Sequence, residues 1–221
     1  MTVEVAVFNA ARLLPPPLEA EIRAGIDDAL AALRQHLDVE DAGIVVLLAE
    51  GVDAETGMGG RAYGPDACEI RVDEASPALR VGTRVNAASV TVHELHHILR
   101  MRHGVPRRFA DLCAGDVIVL EGLATQCQTF LGYPDPSIVR GITAEQVAPL
   151  LDRIAPIVGD PRAAWAWIYD PSGLPAEVHK AVYPMGHHVV GRYLARRGLT
   201  PLEAVGVPWR EVWDAGLPVM G

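Results

Sequence analysis

His93-Glu94-Leu95-His96-His97 reads H-E-x-x-H, and this stretch decides the fold. His93 and His97 stand four residues apart. Four residues of α-helix turn through about 400°, so both imidazoles project from one side, about one turn apart. Two histidines so placed can share one Zn²⁺, and the glutamate between them can serve as general base toward water. The helix that would carry them can start at Thr83 or Asn86, and Gly104-Val105-Pro106 ends it near His103.

Two histidines are one ligand short, since a catalytic zinc usually takes three from the protein and keeps one position open. Glu121, 24 residues beyond His97, lies in a predicted second helix from Asp111 to Leu131 closed by Gly132 and Tyr133-Pro134-Asp135-Pro136. Its surroundings, Val117-Ile118-Val119-Leu120 and Leu123, are apolar. A carboxylate there needs a partner, because burying a bare charge is costly, and a metal would be that partner. Gly122 could let two helices approach closely.

His103 is the rival third ligand, six residues after His97. The H-E-x-x-H-x-x-G-x-x-H arrangement of metzincins needs a glycine where this chain has Arg100. If the helix continues, His103 faces away from the metal. His96 would then hydrogen-bond behind the ligands or face solvent. Glu94-Leu95-His96-His97 also contains the E-x-x-H of di-iron bundles, but no second E-x-x-H occurs in the chain.

Before the motif, Val3 to Phe8 alternates as a strand would, and Pro15-Pro16-Pro17 blocks its continuation. Ile22, Ile26, Leu30, Leu33 and Leu37 then form a helical stripe. Ile44 to Ala49 reads as a buried strand. Gly51 to Pro65, with five glycines and no apolar period, reads as a loop. Cys68 to Asp73 alternates like an edge or half-buried strand, making the first part β-α-β-β. After the motif the chain is mostly helical. Thr143-Ala144-Glu145-Gln146 and Thr200-Pro201-Leu202-Glu203 are capping boxes. Pro161 opens a tryptophan-bearing helix, and a helix from Met185 to Arg197 has Pro184 in its first turn and Gly198 as its cap. The predicted division is an α/β lobe over 1–85 and a helical lobe over 86–221 carrying the metal site, within one domain.

The 221 residues, half of them hydrophobic, are ample for a buried core. A net charge of −9 with no long basic run disfavours nucleic acid as a partner. No uninterrupted apolar stretch suggests a membrane span. Met1-Thr2-Val3-Glu4-Val5 lacks the basic start and apolar run of a secretion signal. Cys68, Cys113 and Cys127, odd in number and widely spaced, fit reduced thiols, so a cytoplasmic location is expected.

Together, Val92-His93-Glu94-Leu95-His96-His97 and Glu121-Gly122-Leu123-Ala124 resemble the gluzincin pattern, H-E-x-x-H followed by a helix-borne glutamate. More narrowly, the chain resembles a bacterial family of predicted zinc-dependent proteases with H-E-x-H-H, E-G-L-A and Y-x-x-G motifs, the last being Tyr183-Pro184-Met185-Gly186 here. The likeness spans roughly residues 57 to 195. It implies an α+β, zincin-like fold, a small mixed sheet packed on the motif helix, and a peptide or protein substrate. Many gluzincins carry an aspartate four residues after the ligand glutamate, to orient a histidine. Thr125 stands there, and Asp116 is an alternative orienting group. The expected site is one Zn²⁺ on His93, His97 and Glu121, with Glu94 as base and Tyr183 or His187 as oxyanion donor. His188 is the weaker choice. The β-strand Cys68–Asp73 would pair with an extended substrate, rimmed by Gly57, Gly59 and Gly60. The competing expectations are a zinc amidohydrolase of another specificity and a non-catalytic zinc-binding module.

Overall fold

The computed structural model describes residues 3–9, 11–37, 39–105, 112–162 and 181–217. The architecture is mixed α and β, with one four-stranded mixed sheet and six α-helices among the described residues. The chain forms two compact units. The first comprises Met1–Arg102 with Leu131–Ser137, and the second His103–Phe130 with Ile138–Gly221.

The first unit is built on β1 (Glu4–Phe8), α1 (Pro16–Leu33), β2 (Gly43–Leu48), β3 (Met58–Ala62), β4 (Ala67–Val72) and α2 (Thr83–Arg102). The sheet order is β1-β2-β4-β3. β1 and β4 both run parallel to β2, while β3 returns antiparallel along β4. β1 already ends at Phe8, ahead of the proline triplet, which opens α1. Pro15 is the N-cap and Pro16 and Pro17 fill the first turn, where a missing N–H costs no hydrogen bond. Ile22, Ile26, Leu30 and Leu33 are buried as their stripe requires, and Leu37 lies beyond the helix end.

Two strand expectations need correction. The glycine-rich stretch 51–65 is not all loop, because it contains β3. Gly59 and Gly60 erase any apolar alternation there, and pairing with β4 imposes the extended conformation. The first unit is therefore β-α-β-β-β-α. Cys68–Asp73 is not an edge either: β4 lies between β2 and β3, with both sides hydrogen-bonded. The register puts Ile44, Val46, Met58, Ala62, Cys68, Ile70 and Val72 on one face, all buried.

Helix α2 packs against α1, β3 and β4. Arg84 near its start forms a two-pronged ion pair with Asp28 of α1, at 2.6 and 2.8 Å. Near its end, the Arg102 guanidinium donates to the carbonyls of Pro65, Glu40 and Asp41. The helix is thus fixed at both ends to neighbours of the sheet. Segment 131–137 is tied to the same unit by one carboxylate. Asp53 Oδ2 accepts the Ser137 hydroxyl, while Oδ1 accepts the backbone N–H groups of Glu55 and Thr56.

The second unit holds α3 (Ala114–Phe130), α4 (Ala144–Ile154), α5 (Val182–Arg197) and α6 (Trp209–Gly216). Its core joins Val117, Ile118, Val147, Leu151, Ile154, Met185 and Val189 in one cluster, and Val119, Leu123, Val190, Tyr193 and Val212 in another. The Thr143–Gln146 capping box is made in both directions, and Thr200 and Glu203 bond reciprocally as well. Gly198 caps α5 with a left-handed φ of 65°. That helix starts three residues before Met185, leaving Pro184 in its first turn. The helix expected from Pro161 onward lies, in its tryptophan-bearing part, outside the described residues. No helix among the described residues is long and apolar enough to cross a membrane.

Candidate metal centre

Helix α2 shows no clean apolar stripe because nearly all of its second half is buried. Thr91, Glu94, His96, His97 and Arg100 are each under a tenth exposed, alongside Val92, Leu95, Ile98 and Leu99. A helix enclosed on most sides needs no polar face. The Thr91 hydroxyl is satisfied within the helix, donating to the Ala87 carbonyl at 2.7 Å. His96 is wholly buried, which overturns the alternative that it faces solvent.

His93, Glu94 and His97 each offer one ligand atom, and these atoms lie within 4.8 Å of one another. The two imidazole rings meet edge to face, their centroids 4.6 Å apart and their planes at 85°. His93 is half-buried, whereas Glu94 and His97 are 5% and 6% exposed. Two ring nitrogens and a carboxylate oxygen so close together are a donor set that a metal cation can take. The group could therefore hold a metal ion.

The sheet closes over this group from one side. At Gly60 on β3, a Cβ would lie 2.5 Å from both Cγ and Oε1 of Glu94, so the carboxylate occupies the space that a side chain there would take. Cys68 on β4 is the second neighbour. Burial raises its thiol pKa most, and the Glu94 charge raises it further. The sequence alone did not place Gly60 or Cys68 beside Glu94; it put Gly60 in the rim of a substrate strand. The pairing of β3 with β4 brings both to the α2 face.

The remaining predicted residues belong to the second unit. Glu121 is on α3, half-buried. Gly122 does permit a close helix approach, and the partner is α5: a Cβ on Gly122 would lie 2.7 Å from the Cα of Gly186. The E-G-L-A and Y-x-x-G motifs thus meet through their glycines. Tyr183 is half-buried against the larger core cluster. His187 is fixed twice. Its carbonyl accepts from Gln126 Nε2 at 2.8 Å, and its Nδ1 lies 3.2 Å from the Thr125 hydroxyl. That hydroxyl donates to the Gly122 carbonyl at 3.0 Å, which leaves its oxygen to accept a proton from Nδ1. Thr125 therefore does orient a histidine, and that histidine is His187. Asp116, the other orienting candidate, caps the start of α3 instead, where Oδ2 accepts from the Cys113 N–H and thiol at 3.0 and 3.1 Å. His188 bonds through Nε2 to the Ile142 carbonyl at 2.9 Å. His103 follows the end of α2, is exposed, and packs beside Gly206.

No protein family, curated protein or solved structure matches the chain.

Proposed function

We propose that the protein is a zinc-dependent peptidase of zincin-like fold. The observation carrying this reading is the convergence of His93, Glu94 and His97 within 4.8 Å on one helix packed beneath a mixed sheet. In it His93 and His97 hold the metal, and the sequence pattern makes Glu121 the third ligand. Zinc in such a site supplies Lewis acidity, bringing the pKa of water toward about 7 and polarising a carbonyl. Glu94 accepts the proton from the attacking water and returns it to the leaving amine. Its position, 5% exposed, keeps that carboxylate out of bulk water and aimed by its packing.

β3 replaces β4 as the strand to receive substrate. It ends the sheet, and no strand among the described residues pairs with its far side. The Met58 carbonyl accepts from the Asp53 N–H rather than from β4. By strand alternation, the backbone groups of Gly60 and Ala62 point the same way, where an extended peptide can add. Of the two oxyanion donors, Tyr183 has an O–H to give. His187 contacts the Thr125 hydroxyl through Nδ1, so its Nε2 can donate only when it carries a proton.

The test is metal analysis of the purified chain together with a quenched-fluorescent peptide library, run on wild type and Glu94→Gln. Wild type should bind one zinc per chain and cleave peptides. Glu94→Gln should retain zinc and lose about 10²–10⁴-fold in turnover. Zinc binding without cleavage would leave a metal-binding module, and equal turnover in the two proteins would remove Glu94 as the base.

A further inference from the structure

We infer that Gly60 is the positioning residue for the Glu94 carboxylate, holding open the space in which the base sits. The inference deepens the peptidase reading and rests on it for the word base, but not for the contact. A glycine inside a strand lowers strand stability and so needs a reason. Gly60 has no positive φ, so backbone freedom is not the reason. The reason is room, because the three nearest atoms to a Cβ at this position all belong to Glu94: Cγ and Oε1 at 2.5 Å and Cδ at 2.7 Å. Its neighbour Gly59 offers the control. A Cβ there would meet only Val52, at an ordinary 3.7 Å.

A methyl group at position 60 must therefore displace the glutamate, whose side chain can turn while the helix stays. Metal ligation by the two histidines does not require that space. The expected signature is a base out of place in a folded, metal-loaded protein.

The experiment compares Gly60→Ala with Gly59→Ala in the full chain, loaded with Zn²⁺ or Co²⁺. Gly59→Ala, whose added methyl meets Val52 and no atom of Glu94, should leave the visible Co²⁺ bands as in wild type. Gly60→Ala should keep its metal and melting temperature, lose about 10²-fold in kcat with KM little changed, and shift the visible Co²⁺ bands. The band shift should vanish when both proteins also carry Glu94→Ala. If wild type cleaves no peptide, the peptidase reading fails, and the Co²⁺ comparison alone decides the positioning role. A Gly60→Ala protein indistinguishable from Gly59→Ala, or a band shift that persists without Glu94, overturns it. Should Gly60→Ala lose its fold, Gly60→Ala with Glu94→Ala must regain it; failure to do so also overturns it.

Discussion

Gly122 of α3 and Gly186 of α5 lie backbone against backbone. A Cβ on Gly122 would come within 2.7 Å of the Gly186 Cα, and one on Gly186 within 2.8 Å of the Gly122 nitrogen. Main chain cannot turn aside as a side chain can. Gly186→Ala should therefore cost about 3 kcal/mol, at the upper end of overpacking penalties. Urea unfolding of the purified variant measures this, and a loss below about 0.5 kcal/mol would show that the helices separate freely.

Loss of metal should follow the ligand set. His97→Ala is expected to weaken zinc binding by orders of magnitude, and Glu121→Ala to weaken it substantially if Glu121 is the third ligand. His103→Ala, changing an exposed residue beyond the end of α2, should leave zinc content unchanged. Equilibrium dialysis with a competing chelator reads all three. Zinc lost only in His103→Ala would replace Glu121 by His103 and with it the gluzincin reading.

The thiols should be inert in the native chain. Burial pushes Cys127 up to about 12, and burial foremost pushes Cys113 up to about 11. Cysteine in an unfolded chain ionises near pH 8.5. Above that pH the unfolded state releases protons the folded state retains, so stability falls as pH rises until the folded thiols also ionise. The slope approaches about 1.4 kcal/mol per pH unit for each such thiol. Between pH 9 and 10.5, Cys127→Ala should show a shallower decline than wild type in denaturant melts. Identical slopes would place the Cys127 thiol in contact with solvent.

Removing a cap tests the second unit more gently. Thr143 accepts from the Gln146 N–H, and Gln146 accepts from the Thr143 N–H at 2.8 Å. Thr143→Ala should cost about 1 kcal/mol. Thr143→Ser should recover most of it in the same thermal melt.

The features legible in the sequence are those settled within a few residues. The histidine pair, the Thr143 box and the Gly198 cap depend on one turn of helix or one left-handed residue, and each stands where its spacing put it. β3 was not legible, because a strand carrying Gly59 and Gly60 has no periodicity and exists through its pairing with β4. The place of β4 inside the sheet was hidden for the same reason: Glu69 and Arg71 alternate like edge residues although both neighbours are present. Around the candidate metal group, the sequence pointed to Glu94 but not to Gly60, which lies 34 positions earlier and reaches it only through the sheet. The polar character of α2 also concealed how deeply it is buried, since hydropathy alone would leave Arg100 and His96 in solvent.

The bond from Ser137 to Asp53 has a consequence for how the chain can be divided. The polypeptide leaves the first unit after Arg102, builds α3 in the second, returns at Leu131–Ser137, and departs again. Neither unit is a contiguous cassette. A single cut at any one position separates some unit from part of itself, so neither unit can be produced whole as one uninterrupted stretch of the chain.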